Sequence, residues 1–389
     1  MRLERPAGQA FALWRLGFRP FYLLASLFGA LSVALWVMQY AGWLGTPYVS
    51  GPVWHAHEML FGFTLAVVTG FLFTAVRNWT GKPTPTGVTL AGIAALWIAG
   101  RVLVLTSHAW AAAIVNAAFP LAVAAGIGIP LVRSGNRRNY FFIGLLIVLA
   151  GAVAGVHLAQ LGVLKLPSWL GIHIALDVIL FIVAVMGGRV IPMFTNNGVP
   201  GAGARRAPAV EKLALGSVLA LLIADLLQLQ GVALIVVLAL AAIAHAVRWS
   251  LWRPLRTLRV PLVWVLHAAY VWIPIHLALR ALAELGLVAP PLATHALTIG
   301  AIGGLTIGMM TRTARGHTGR PLQADRFEIA CYALILAAAL VRVIVPLIVP
   351  AAYFISVGIS GPFWSAGYAL YAIRYWPVLT RARLDGAAG

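Results

Sequence analysis

Charge is scarce in this chain. Only 10% of its 389 residues are charged, against about 25% in an average soluble protein. Acid is scarcer still: 9 Asp and Glu stand against 28 Lys and Arg, a net charge of +19. A soluble globule needs a charged skin, so a chain that is 62% hydrophobic with a mean hydropathy of +0.94 is not one. Disorder and a collagen-like fibre are excluded on the same grounds. There is one cysteine, Cys331, inside an apolar run. That excludes disulfides within the chain, cysteine-ligated iron–sulfur clusters, a Cys-x-x-Cys redox pair and Cys-x-x-Cys-His haem attachment. Lysine is absent from the interiors of the apolar runs. In a soluble protein the positive balance points to nucleic acid. Here the positive side chains lie between apolar runs, so membrane topology explains them and no nucleic-acid partner is expected.

What is present is a series of long apolar segments. They read as an all-α, polytopic integral membrane protein, one membrane domain over residues 1–389 with about twelve spans. The spans run near 19–41, 55–77, 88–106, 110–132, 139–163, 169–191, 211–231, 232–249, 260–286, 293–313, 326–349 and 351–376. Gly/Pro or basic stretches such as GKPTPTG, RSGNRRN and NNGVPGAGARRAP separate them. The polar, basic start MRLERPAGQA and the long first run give no cleavable signal peptide. Twenty-four of the 28 basic residues, Arg2 and Arg5 among them, fall on one side of this threading. Only Arg101, Lys165, Arg280 and Arg342 lie elsewhere. The positive-inside rule then places both termini in the cytoplasm.

An internal repeat is expected at three even spans. His57 precedes Thr80, His173 precedes Thr195 and His295 precedes Thr318, each by 22 or 23 residues. Each stretch enters at a histidine and leaves at a polar threonine turn. The spacing suggests a three-fold repeat of four-helix units near 19–132, 139–249 and 260–376.

Ionisable residues inside a membrane are expensive and mark function. His55, His57 and Glu58 open span 2, His173 opens span 6 with Asp177 one turn deeper, and His295 opens span 10. His157 is late in span 5, and His276 is in the outer half of span 9. These six histidines and two carboxylates share one expected layer, the outer half of the bilayer. His267 lies deeper, about 13 Å along the helix from His276. Imidazole is a common ligand for iron, copper and zinc, and without a suitable cysteine a haem here is a b-type haem. The plain alternative is that each histidine is a hydrogen-bonded packing residue. His55 and His57 are two apart and face roughly opposite ways on one helix. His108 and His245 read as loop or interface residues. Glu58 and Asp177 are the expected proton-delivery groups. The cytoplasmic halves of the even spans hold no carboxylate, so protons are expected from the outer side, without pumping. The basic turns GGRVIPMFT and RTARGHTGR hold Arg189, Arg312, Arg315 and Arg320, which suit haem propionates or another anion. The alternative is the positive-inside rule with helix C-capping. His317 in the second turn is a ligand or a loop hydrogen-bonder.

At these motifs the sequence resembles the NnrS family of haem- and copper-containing bacterial membrane proteins. The matching stretches are LWRLGFRPFYLLA (13–25), HAHEMLFGF (55–63), GFLFTAVRNWTG (70–81), GGRVIPMFT (187–195) and RTARGHTGR (312–320). They spread over most of the chain. The resemblance implies a bacterial inner-membrane protein of nitric-oxide metabolism carrying haem b and a second metal, copper or iron. It implies ligands at His55 and His57 of HAHEM and at His317 of GHTGR. His173, His267, His276 and His295 are added by depth and spacing, and His57, His173 and His295 are the expected haem ligands. Histidines on spans 2, 6 and 10 are similar in layout to haem-copper oxidases and nitric-oxide reductases. Their adjacent His-His pair is absent here, so the metal arrangement need not match.

Three functions stay open at this point. The first is a membrane oxidoreductase that reduces nitric oxide to nitrous oxide with electrons from a quinol or a cytochrome. The second binds or senses nitric oxide without turnover. The third is a secondary transporter, which twelve spans with internal repeats also suit.

Overall fold

The computed structural model describes residues 11–44, 48–49 and 51–386. Arg2 and Arg5 of the positive-side set lie outside the described residues. Helical rods succeed one another, and each falls on an expected span. They are α1 (Phe18–Tyr40), α2 (Gly51–Thr80), α3 (Gly87–Leu103), α4 (Ala109–Arg133), α5 (Phe141–Gln160) and α6 (Ser168–Gly198). Then come α7 (Pro208–Leu226), α8 (Val232–Leu251), α9 (Pro261–Glu284), α10 (Pro290–His317), α11 (Arg326–Ile348) and α12 (Tyr353–Thr380). Among the described residues nine of these helices are long and apolar enough to cross a membrane; α3, α7 and α12 are not in that set. The protein is therefore all-α and multi-pass. Large apolar side chains lie on the outside, Leu31, Ile114, Ile243 and Phe354 among them. In lipid that exposure costs nothing, while every backbone polar group must be satisfied within the helix.

Local sequence sets the helix ends. Proline stands at the first helical position of α7, α9 and α10, where its missing N–H is one no helix uses. Asp325 and Glu328 form a capping box at the start of α11. Gly81 closes α2 in the left-handed region, where a side chain is disfavoured. Two rods change pitch. In α2 the ladder widens to a π-helix over Glu58–Thr64, and in α10 over Ala296–Gly303. Both follow a histidine of the sequence repeat, His57 and His295. The third such histidine, His173, sits in an uninterrupted α-helix. α9 breaks at Val271, because Pro274 has no N–H for the Tyr270 carbonyl.

The chain forms two compact units. The first holds residues 1–176, 313–321 and 371–389, and the second holds 177–312 and 322–370. The division falls inside α6 and not between the four-helix groups suggested by the repeat. In the first unit Arg19, at the start of α1, is buried and caps the end of α12. Its Nη1 donates to the carbonyls of Leu379 (3.1 Å) and Arg381 (2.7 Å). Phe11 and Arg381 add an isolated antiparallel bridge there. In the second unit α9 and α10 approach closely because Gly300 has no Cβ; a methyl there meets the Trp272 ring.

A buried histidine pair in the first unit

The polar centre of the first unit is built on the π-helical turn of α2. That turn has the sequence EMLFGFT. Its wider pitch is braced by Thr64 Oγ1, which donates to the Met59 carbonyl at 2.8 Å. The Gly62 carbonyl accepts from the Leu65 N–H and also from Trp97 Nε1 of α3 at 3.0 Å. Gly62 has no Cβ where the Arg101 guanidinium and Phe28 pack. A π-turn thus lets α3 place a cation against the start of α2.

Six side chains from five segments then join. His57 Nδ1 lies 2.8 Å from Glu58 Oε1, and Arg101 Nη1 lies 2.9 Å from the same oxygen. Arg101 Nη2 donates to Asn116 Oδ1 of α4, and Asn116 Nδ2 donates to the Ala112 carbonyl at 2.8 Å. The guanidinium lies between the rings of Phe28 and Trp97. On the other side His57 Nε2 faces His157 Nε2 of α5 at 3.1 Å, with the ring planes 74° apart. His157 Nδ1 lies 2.6 Å from the Tyr48 hydroxyl. Both histidines are 0% exposed and Glu58 is 1% exposed. One proton assignment satisfies every bond. The Tyr48 hydroxyl donates to His157 Nδ1, His157 Nε2–H donates to His57 Nε2, and His57 Nδ1–H donates to Glu58. Glu58 Oε2 has no hydrogen-bond partner among the described residues. The arrangement balances one carboxylate with one guanidinium and aims two imidazole nitrogens at each other.

His57, whose Nδ1–H donates to a carboxylate, has the support that metal-ligating histidines use; His157 would gain it by moving its proton to Nδ1 and donating to the Tyr48 oxygen. The donor set fits copper. It supplies two ligands: among the described residues no three His, Cys, Asp or Glu side chains converge as a metal site.

The other expected residues lie in separate surroundings. His55 points away from His57 and packs on Trp36, 4.8 Å between ring centres. His173 is exposed on α6 beside Trp169. His317 lies against Phe18 at 5.7 Å. In the second unit the Thr195 hydroxyl donates to the Ile191 carbonyl, so it accepts from His267 Nε2–H at 2.8 Å. His267 Nδ1 is then an enclosed lone pair without a hydrogen-bond partner. His276 Nδ1 donates to the Ala293 carbonyl and His295 Nδ1 to the Pro291 carbonyl, each at 2.7 Å. That tautomer leaves Nε2 as the ligating nitrogen of both, so these three residues fit a haem iron or copper by donor chemistry. Asp177 Oδ1 lies 3.7 Å from Arg280 Nη1, and Arg280 Nη2 bonds Asp225. Arg312 covers the Phe194 ring at 3.8 Å, Arg315 Nε donates to the Pro321 carbonyl, and Arg189 and Arg320 are half-buried.

Sequence reasoning missed several partners. His157 was assigned to the histidine layer without a partner, and Tyr48 and Asn116 carried no signal. Arg101 carried one: it is a cation in a span, off the positive side. The reading of His245 as a loop or interface residue is corrected. It is fully buried in the middle of α8, with Nδ1 2.7 Å from the Tyr270 hydroxyl and Nε2 donating to the Ala214 carbonyl. Arg248, one turn on, joins the same network through Glu211 (2.7 Å), Tyr270 (2.8 Å) and the Ala184 carbonyl (2.8 Å). Gly188 leaves the room that its guanidinium fills. Every donor of that network is satisfied, which marks it as a structural latch.

A search of curated proteins returned no match. The family model described as NnrS protein matches residues 12–383, nearly the whole chain. This chain belongs to the NnrS family.

Proposed function

We propose that this membrane protein acts in nitric-oxide metabolism and reduces nitric oxide to nitrous oxide at the buried His57–His157 centre. The balance is 2 NO + 2 e⁻ + 2 H⁺ → N2O + H2O, with electrons from a quinol or a cytochrome. The observation that carries the reading is the pair of facing Nε2 atoms at 3.1 Å, enclosed, with Glu58 and Tyr48 on the two Nδ1 atoms. His57 and His157 hold copper in this reading. His267, His276 and His295 are the candidates for haem b, since in each one ring nitrogen is held by a protein hydrogen bond and the other is of the kind that ligates iron. When bound, these metals supply nitric-oxide binding and one-electron chemistry.

The protein's own groups do the rest. Glu58 accepts from His57 Nδ1–H, and with copper bound the His157 proton would sit on Nδ1 and be accepted by the Tyr48 oxygen, so that both Nε2 lone pairs would be free to ligate. Arg101 holds Glu58 Oε1, which leaves Oε2 to carry a proton to the reacting oxygen. Tyr48 precedes α2 in the chain, on the side that the basic-residue bias makes the outer one. It is the entry point for that proton, so none is drawn from the cytoplasm. The apolar walls around the centre keep bulk water out.

Optical spectra and metal analysis of the detergent-purified protein, reduced and then exposed to nitric oxide, test the assignment. Wild type is expected to hold copper and to give a nitric-oxide-sensitive spectrum. H57A and H157A are each expected to lose the copper while staying folded. Full copper retention in both variants contradicts the assignment.

A further inference from the structure

The first unit gathers positive charge near the ends of α1, α2, α10 and α12. Arg15, Arg19, Arg77, Arg315, Arg320, Arg374, Arg381 and Arg383 all belong to it. Within this set Arg383 pairs with Asp385, at 2.6 Å. That carboxylate raises the Arg383 guanidinium further above its ordinary value. Arg320, in the turn after α10, has Nη1 enclosed with no hydrogen-bond partner. Crowding by its neighbours Arg315, Arg374 and Arg381 adds to burial in lowering its affinity for protons. Guanidinium groups packed like this repel one another until an anion joins them.

A different pair of arginines, Arg15 and Arg77, shares a cavity in this unit. The cavity, of about 480 Å³, is lined by Phe11, Ala12, Trp14, Arg15, Arg77, Thr86 and Gly87. Arg15 precedes α1 and Arg77 is in the last turn of α2, so two cations 62 positions apart meet in it. Neither has an ion-pair partner among the described residues. The third wall is the first turn of α3, a helix of 17 residues. The Thr86 side chain makes no capping bond there, so it claims none of the first N–H groups of that turn. Phe11 is 61% exposed beside it, an aromatic side chain at the level where the helices end. Two forked donors, a helix N-terminus and an aromatic rim suit a phosphate that carries acyl chains.

We propose that this cavity is a binding site for the phosphate of an anionic phospholipid, with Arg15 and Arg77 as its clamps. The chemistry it recognises is a phosphate mono-anion. The aromatic rim and the position at the helix ends assign it to the lipid and not to free phosphate.

The test uses the full-length protein in detergent. Native mass spectrometry counts retained lipid after mixing with phosphatidylglycerol or phosphatidylcholine, and thermal unfolding is followed in parallel. Wild type is expected to retain phosphatidylglycerol over phosphatidylcholine and to melt higher with it. R15Q/R77Q is expected to bind phosphatidylglycerol about 30-fold more weakly, from two lost guanidinium contacts. R137Q/R138Q, which removes two arginines from the turn after α4, is expected to behave as wild type. An R15Q/R77Q protein that melts as wild type in phosphatidylcholine is folded and makes the comparison valid. If it melts lower, the single variants R15Q and R77Q, each expected about fivefold weaker, take its place. Equal retention of the two lipids by wild type, or undiminished phosphatidylglycerol binding in the folded variants, overturns the proposal. Stabilisation by inorganic phosphate without any by phosphatidylglycerol overturns the assignment to lipid.

Discussion

Single atoms decide whether the centre in the first unit exists. Gly62 is the clearest case, because a Cβ there meets Arg101 Nη1 and the Phe28 ring within 3 Å. Gly62→Ala is expected to push the guanidinium off Glu58 and to destabilise the protein by about 1–3 kcal/mol, the usual cost of overpacking. Thermal unfolding measures the loss, and copper content reads the displaced Glu58. A variant with unchanged stability and full copper contradicts the packing described. At this scale the sequence was half legible. His57 and Glu58 stand out because ionisable groups open an apolar run. His157 stands exactly 100 positions further on, and no spacing rule connects two helices that far apart. Tyr48 sits in a short linker whose path only the fold defines. Arg101 was detectable as a misplaced cation, since a buried arginine needs a carboxylate and an acceptor, and Glu58 and Asn116 supply them. His245 misled because it lies near a basic segment. The helix in fact continues past it to Leu251, and Tyr270 reaches it from α9.

At the scale of elements, the expected segments were readable as helices from their apolar runs, and nine of those described are long and apolar enough to cross a membrane. Their ends came from proline, glycine and basic residues. The pitch changes were not readable. A π-turn is one extra residue in a ladder, and a segment apolar on all faces has no periodicity to reveal it. The π-turn of α2 sets the angle between His57–Glu58 and everything after Thr64. Deleting Met59 restores an α-helical ladder and rotates the start of α2 by about 100° against the remainder. The shortened protein is expected to insert and keep its helical circular dichroism, but to lose copper and the nitric-oxide-sensitive spectrum. Retention of both shows that the π-turn does not position the pair. α10 has a second π-turn after His295, and α6 has none after His173.

For the whole molecule, composition settled the class at once: little charge, less acid, and apolar runs long enough to span. The bias of 24 basic residues to one side gave a threading, and the helices follow its order. The division into two units was not legible, because it falls within α6, where nothing in the sequence changes. Each unit carries its own buried polar network: His57–His157 with Glu58 and Arg101 in one, Glu211–Arg248–Tyr270–His245 in the other. The first leaves a carboxylate oxygen and a pair of facing nitrogens for chemistry. The second satisfies its own donors and holds helices together. The central claim is that the first centre turns nitric oxide over, with Glu58 as its proton donor. The most direct measurement is nitrous oxide release from the purified, metal-loaded protein supplied with nitric oxide and a chemical reductant, for wild type and Glu58→Gln. Wild type is expected to release nitrous oxide, and E58Q to bind nitric oxide yet release it at least about 100-fold more slowly, the scale of a lost general acid. A metal-loaded wild type that binds nitric oxide and releases no nitrous oxide, or an E58Q protein at full rate, contradicts it.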